Sequence, residues 1–543
     1  MRSPQFAEVL RLLRLAVKAE ARNQTSEQAV ESSRAERRAV LDKGKSRRDF
    51  IVESSRLAAL AAGASVLDSA RVFAGGRAAS SPSVGIVGAG LAGMACADAL
   101  QRKGIVATVY EASSRVGGRC YSLRNFFPGQ VAERGGEFID NPHKTMLRYA
   151  KELKLSLEDV TKLPGDVFYY FNGQHYDESE IVEAFRDFVP VMHDDLRRLS
   201  GEVTAFSPTP DDLAIDRTSL AEYLAGSNSA GVPASPLARV VIEEAYKAEY
   251  GLEPDEQSAL NFLMFIHADR RSKFTPFGVS SDERWHIVEG NDRIPNGLAG
   301  RLGSAISFDM TLVAVRRTAA GRIELTFESG RRTITRVHDT AVITVPFSVL
   351  RDVQLDSNLS LSAGQQLAIH TLGYGTNAKM MVGFDGQPWT NVGSNGTAYA
   401  SLPNVQTTWE TNPIAASAAR GVLTDYSSGD RGARLSPAQV QIEALRFLTD
   451  LDLVFPGAFS AATQIKNRFI AHLEVWPSNP LSMGSYTCYR PGQFTTIAGY
   501  EGMSAGPLHF AGEHANSFYI WQGFMEGAAL SGLDAAKSVL ALA

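Results

Sequence analysis

The sequence predicts an α/β protein in two parts, one built on a parallel sheet and one of mixed α+β character. Three observations carry this. Val84–Val87 is a short apolar strand running into Gly88-Ala-Gly90-Leu-Ala-Gly93, and an apolar-periodic helix follows to a stop at Gly104. Val106–Tyr110 reads as a second strand closed by Glu111. Near the other end, Leu508–Phe510 reads as a strand ending in the turn Gly512-Glu513-His514, with the helical stretch Gly523–Ala529 about ten residues on.

The whole chain sets the frame for these elements. Its 543 residues allow two or three domains and a large core. With 54 Lys+Arg against 59 Asp+Glu, the net charge is −5, which argues against a dedicated nucleic-acid binder. Hydrophobic residues at 44% and charged residues at 21% are ordinary for a soluble globular protein. No apolar run reaches the roughly 18 residues a spanning helix needs. Three scattered cysteines (Cys96, Cys120, Cys488) are too few for a disulfide framework or a cysteine-rich metal site.

The first eighty residues stand apart. Residues 1–45 are a charge-rich leader in which Phe6, Leu10, Leu13 and Val17 recur at helical spacing, predicting an amphipathic helix. Residues 46–82 bring the pair Arg47-Arg48, the weakly apolar run Leu57–Leu67 and the small residues of Val72–Gly75, in the order of a twin-arginine export signal and linker. The expected destination is the periplasm or beyond, by way of the twin-arginine translocase. A charged helix and linker on a cytoplasmic protein is the alternative, since Glu53 and Arg56 interrupt the segment.

From residue 83 the chemistry is legible. Gly88 permits a tight turn, Gly90 lets the backbone approach a pyrophosphate, and Gly93 lets helix pack on strand. The helix N-terminus offers free N–H groups and positive partial charge to phosphates. Glu111 stands about twenty residues on, where a carboxylate accepts from ribose hydroxyls. The spacing therefore predicts a Rossmann-like dinucleotide-binding domain. A second glycine turn follows in Arg115-Val-Gly117-Gly118-Arg119, whose guanidinium groups suit phosphate. The distant helix after Gly523 could stabilise negative charge on a reduced isoalloxazine, and distant segments serving one elongated cofactor favour FAD over NAD.

These segments, with Glu133-Arg-Gly135-Gly136-Glu137-Phe138 between them, resemble the flavin-dependent amine oxidases, which include monoamine, polyamine and L-amino-acid oxidases. The resemblance covers most of residues 83–543. It implies an FAD domain of the glutathione-reductase type, with Glu111 on the adenosine ribose, Arg119 by the pyrophosphate and Gly135, Gly136, Glu137 and Phe138 along the flavin. Gly290-Asn-Asp-Arg-Ile-Pro looks like the return to the cofactor domain, and Val313 falls where an adenine-side backbone contact is expected. Glu513 would lie on the phosphate and ribityl side, and Met525 would offer its backbone N–H to the ring. Lys379, in the apolar stretch Tyr374–Phe384, matches a lysine that holds a water against flavin N5. Tyr486 and Phe524 match the two walls of an aromatic cage for an amine, with Trp521 in the same terminal motif. Such a cage binds through cation–π attraction while desolvation favours the neutral amine that can release hydride. No strong general base is assigned, neither His267 nor His286.

Two departures qualify the resemblance. Monoamine oxidases carry a flavin-linking cysteine where this chain has Ser485, and Cys488 is three positions further on, so noncovalent FAD is expected. Venom L-amino-acid oxidases place a carboxylate-binding arginine just after the double glycine, where this chain reads Glu137-Phe-Ile-Asp; Arg490 is the candidate replacement. The resemblance implies oxidative deamination of an amine, with O2 reduced to hydrogen peroxide. An L-amino-acid oxidase, or a dehydrogenase or desaturase passing electrons to a carrier, are the alternatives. The expected architecture is an FAD domain of residues 83–138, 285–350 and 500–543 and a substrate domain of 139–284 and 351–499, assembled as a homodimer. In the substrate domain, Lys144–Leu153 and Ile181–Leu199 read as helices.

Overall fold

A computed structural model describes residues 4–42, 82–266, 283–412, 420–515 and 521–542. The arginine pair and the small-residue stretch of the leader lie outside the described residues.

Strands Leu508–Phe510, Thr340–Ile343, Val84–Val87, Thr108–Tyr110 and Ile306–Ser307 form one five-stranded sheet in that spatial order, and every pairing in it is parallel. The central strands Val84–Val87 and Thr340–Ile343 are buried at every position and read as near-continuous apolar runs. The second strand begins at Thr108, two residues later than the sequence suggests, because Val106 is turned out to solvent. The helix Leu91–Gln101 covers one face and is crossed closely by the C-terminal helix Met525–Leu542. Gly532 makes that crossing possible, since a Cβ there would meet the Ala92 carbonyl at 2.1 Å.

A seven-stranded mixed sheet forms the second body, in the order Ala471–Val475, Ala378–Phe384, Gly421–Ser427, Thr407–Glu410, Ser394–Ala400, Asp166–Phe171 and Gln174–Tyr176. Ala378–Phe384 is an inner strand buried at every position. Helices of residues 178–266 pack against this body. The predicted helix at 181–199 is two, Glu178–Arg186 and Val189–Arg198, the second carrying Pro190 in its first turn, where a missing N–H costs no helical bond.

The leader is built into the second body. Helix α1 (Pro4–Arg22) buries Val9, Leu12, Leu13, Ala16 and Ala19, a stripe at helical period, against helices Glu178–Arg186 and Pro236–Tyr250. Its polar residues also reach inward. Arg11 pairs with Glu178 at 2.5 Å, and Glu8 accepts the Tyr169 hydroxyl. Helix α2 (Ser26–Asp42) packs on α1 and on Glu178–Arg186.

Candidate active site

A long cleft opens at the carboxyl ends of the parallel strands, the usual ligand position in a sheet of this kind, and extends to the seven-stranded sheet. It holds about 1510 Å³ of space including its open mouth. At one end, Gly88 has φ +103 and a Cβ there would strike Thr344, while a Cβ on Gly93 would meet the Gly88 carbonyl at 2.0 Å. Gly90 differs: a Cβ there would meet nothing within 4 Å, so this glycine leaves its backbone bare to the cleft. Glu111 closes the second strand, with Oε2 accepting the Ala89 N–H at 2.7 Å and Oε1 accepting the Ser113 N–H at 2.8 Å.

The middle of the cleft is lined by Arg119, Gly135, Gly136, Ser485, Gly512 and Glu513. Arg119 donates to Glu513 at 2.9 Å and to the Ser485 carbonyl at 2.7 Å. Burial pushes the Glu513 carboxyl up, but the Arg119 guanidinium and the Thr487 hydroxyl outweigh it and hold Glu513 below the usual carboxylate range. Burial pushes His514 down to about 4, so the imidazole is neutral. Gly136 is required by Met525, whose Sδ would lie 2.7 Å from a Cβ there.

At the far end, Lys379, Tyr426, Tyr486, Trp476 and Phe524 line the cleft. Lys379 sits on the inner strand at 0% exposure and forms an ion pair with Glu137 at 2.5 Å. Tyr426 and Tyr486 share a hydroxyl–hydroxyl bond of 3.0 Å, and burial raises both phenols so that they stay protonated. The helix Met525–Leu542 starts here, directing its N-terminal N–H groups at the cleft. Bare glycine backbone at one end, a helix N-terminus at each end and a carboxylate beyond the second strand suit an elongated dinucleotide.

Other expected residues take second-rank places. Phe138 packs edge-on to Trp409, and Glu137 faces Lys379. Trp521 lies behind Phe524, with both rings against His143. Val313 is the bulged residue of its strand, and Met310, Thr311 and Leu312 line the cleft instead. Arg490 is corrected outright: its half-exposed guanidinium reaches Glu256 at 3.3 Å, away from the cleft, because the turn after Tyr489 carries it to the surface. Cys488 is buried beside Asn261, its thiol raised by burial.

Three residues in and around the site escaped the sequence reading. Trp409 and Tyr426 arrive from neighbouring strands with no motif to mark them. Asn291 donates to the Gly136 and Glu137 carbonyls at 2.8 and 2.6 Å, clamping the double-glycine turn; its place in the Gly290-Asn-Asp-Arg-Ile-Pro segment is its one signal in the sequence. Behind them, His286 lies 3.6 Å from Glu133 and 3.5 Å from Glu158. Burial would lower it, but the two carboxylates prevail and raise it to about 9.

A family model for flavin-containing amine oxidoreductases matches residues 91–540. The chain belongs to that family. It is 26% identical over 477 residues to an L-amino-acid oxidase of Siganus canaliculatus, covering 84% of each chain. It is 25% identical to a putative flavin-containing monoamine oxidase of Mycobacterium tuberculosis, covering 84% of this chain and 96% of that one. Among solved structures, cyclohexylamine oxidase from Brevibacterium oxydans matches with a TM-score of 0.70 at 19% identity, and a putrescine oxidase bound to putrescine with 0.68 at 19%. Each covers 85% of this chain and 99% of the other. At that identity the likeness is one of fold, and flavin-dependent amine oxidoreductases share it. Among the described residues no helix is long and apolar enough to cross a membrane, and no cluster of His, Cys, Asp and Glu could hold a metal.

Proposed function

We propose that the protein is an FAD-dependent amine oxidase that binds its flavin noncovalently. The observation that carries this is a buried ammonium, Lys379, in the cleft wall beside Tyr486 and Phe524, at the end opposite the Gly90 phosphate site. Bound FAD would supply the two-electron acceptor and O2 its reoxidant, yielding hydrogen peroxide and an imine that water hydrolyses to a carbonyl and ammonia or an amine. The protein's part is placement. Tyr486 and Phe524 would hold the amine between aromatic faces, and their burial favours the uncharged form that can give up hydride. Lys379 presents positive charge where reducing equivalents collect, which favours reaction with oxygen. Ser485 in the wall and the inward-buried Cys488 leave no thiol for a flavin link at that position. Export through the twin-arginine translocase, as a homodimer carrying its cofactor, completes the proposal.

A second reading, L-amino-acid oxidase, is favoured by the Siganus canaliculatus relative. Against it stands Glu137 where a carboxylate-binding arginine would be needed, with Arg490 out of reach. A peroxide-coupled screen of monoamines, diamines and L-amino acids decides. Peroxide from amines alone supports the first reading and a 2-oxo acid product the second. Flavin reduction without peroxide, with turnover restored by a quinone or dye, would refute the oxidase.

A further inference from the structure

Every N–H of the Lys379 ammonium already has a partner. Nζ donates to the Glu133 carbonyl at 3.1 Å, to the Gly135 carbonyl at 3.0 Å and to Glu137 Oε2 at 2.5 Å. An ammonium has three donors and no acceptor, so its hydrogen-bonding capacity is spent on the protein. Glu137 is equally committed, since its Oε1 accepts the Trp409 indole N–H at 2.9 Å. Lys379 lines the cleft and Glu137 lies behind it, so the pair presents its positive end to whatever the cleft holds.

This arrangement requires a carboxylate. Two donors, the ammonium and the indole N–H, converge on Glu137, and an amide could offer an oxygen to one of them only by turning its NH2 on the other. His286 also feels the Glu137 charge, and the carboxylates of Glu249 and Glu283 bear on Tyr426. Across the sheet, Lys379 stands opposite Tyr426 and Glu474. Tyr426 is held protonated, and Glu474 is bound to Arg134 and near His472. The charge of His286 is matched by Glu133 and Glu158.

We propose that Glu137 is a positioning residue of this site. It fixes Lys379 as a stationary charge with its donors turned into the protein, and it sets the net field that the flavin feels. The inference rests on the FAD reading above, and it concerns the charge that the lysine presents to the cleft. Arginine in this place would create two adjacent cations, and an apolar residue would strand the ammonium at 0% exposure.

The test is the reduction potential of the bound flavin, measured by dye equilibration during anaerobic reduction on the acid side of neutrality. It needs no amine. Positive charge near the ring favours the reduced, more negative form. Glu137→Gln should therefore shift the potential upward and Lys379→Met downward. The double variant, again without net charge, should return close to the parent. Glu137→Asp, which keeps the charge, should also stay close to the parent, and it covers the case in which Glu137→Gln does not fold. Opposite shifts with restoration in the double variant are not produced by a residue that merely packs. A flavin potential unmoved by Glu137→Gln, or moved in the same direction by both single variants, overturns the proposal alone. A full-length protein that takes up no FAD overturns the reading beneath it as well.

Discussion

Removing helix α1 should cost the protein most of its stability. Val9, Leu12, Leu13 and Leu15 are all buried against the second body, Leu12 and Leu13 at 0% exposure. At about 1.5–3 kcal/mol for each large apolar side chain, these four contribute roughly 6–12 kcal/mol. That is comparable with the whole stability of a typical domain, about 5–15 kcal/mol. Deletion also takes Arg11 from Glu178 and Glu8 from the buried Tyr169 hydroxyl. A chain beginning at residue 82 should therefore be insoluble or melt far below the full chain, and adding residues 1–42 as a separate peptide should restore part of the loss. A single Leu13→Ala change should lower stability by about 2–5 kcal/mol in a urea or thermal titration. The result bears on export, since cleavage within Val72–Gly75 would sever these same helices from the rest. Denaturing mass spectrometry of exported holoprotein should find residues 4–42 present, attached or as a retained fragment. A chain starting at 82 that is soluble, active and equal in melting point would refute the reasoning.

Lys379→Met should slow reoxidation of reduced flavin by tens to hundreds of fold, about 2–3 kcal/mol of lost charge stabilisation, with anaerobic reduction by amine changed much less in stopped-flow measurements. The same variant leaves Glu137 buried without its cation, which should cost about 3–5 kcal/mol in thermal unfolding and be partly relieved by adding Glu137→Gln. Acid precipitation should release FAD into the supernatant, and flavin remaining with the polypeptide would overturn noncovalent binding. Replacing Arg47 and Arg48 with lysine should leave the protein in the cytoplasm of a host with the twin-arginine pathway, because the translocase reads the guanidinium pair; unchanged fractionation would reject the signal. His286 has its ionisation raised from 6.5 to about 9 on folding, so its contribution is full below pH 6.5 and fades as pH rises through about 9. Over that window the unfolding free energy of the parent, from urea titrations, should fall more than that of His286→Gln, the difference approaching about 3 kcal/mol.

What could be read from the chain was what lies close together along it. Gly88, Gly90, Gly93 and Glu111 occupy one β–α–β unit, and their roles follow from spacing because the strand, turn and helix that use them are contiguous. The long-range features divide in two. Lys379 and Met525 were reachable only through a resemblance, since an apolar strand with one lysine has the same pattern at a solvated edge. The inner position of Ala378–Phe384 is set by pairing with Gly421–Ser427 and Ala471–Val475, and no local signal announces that register. Arg490 shows the converse: offered as a replacement for the arginine missing after the double glycine, it is sent by one turn of chain to Glu256.

Glu137 marks the limit most clearly. In the sequence, its position after the double glycine says only that an arginine is absent there. What the glutamate does became visible only when strands more than two hundred residues away brought Lys379 and Trp409 to either side of it. Buried charge is costly unless matched, so a lysine in the apolar run Ala378–Phe384 calls for a partner. The composition of that run says that a partner exists, and only the fold says that it is Glu137. The carboxylate is thus fitted to its two donors, and the lysine reaches the cleft with its charge intact and its hydrogen bonds already made.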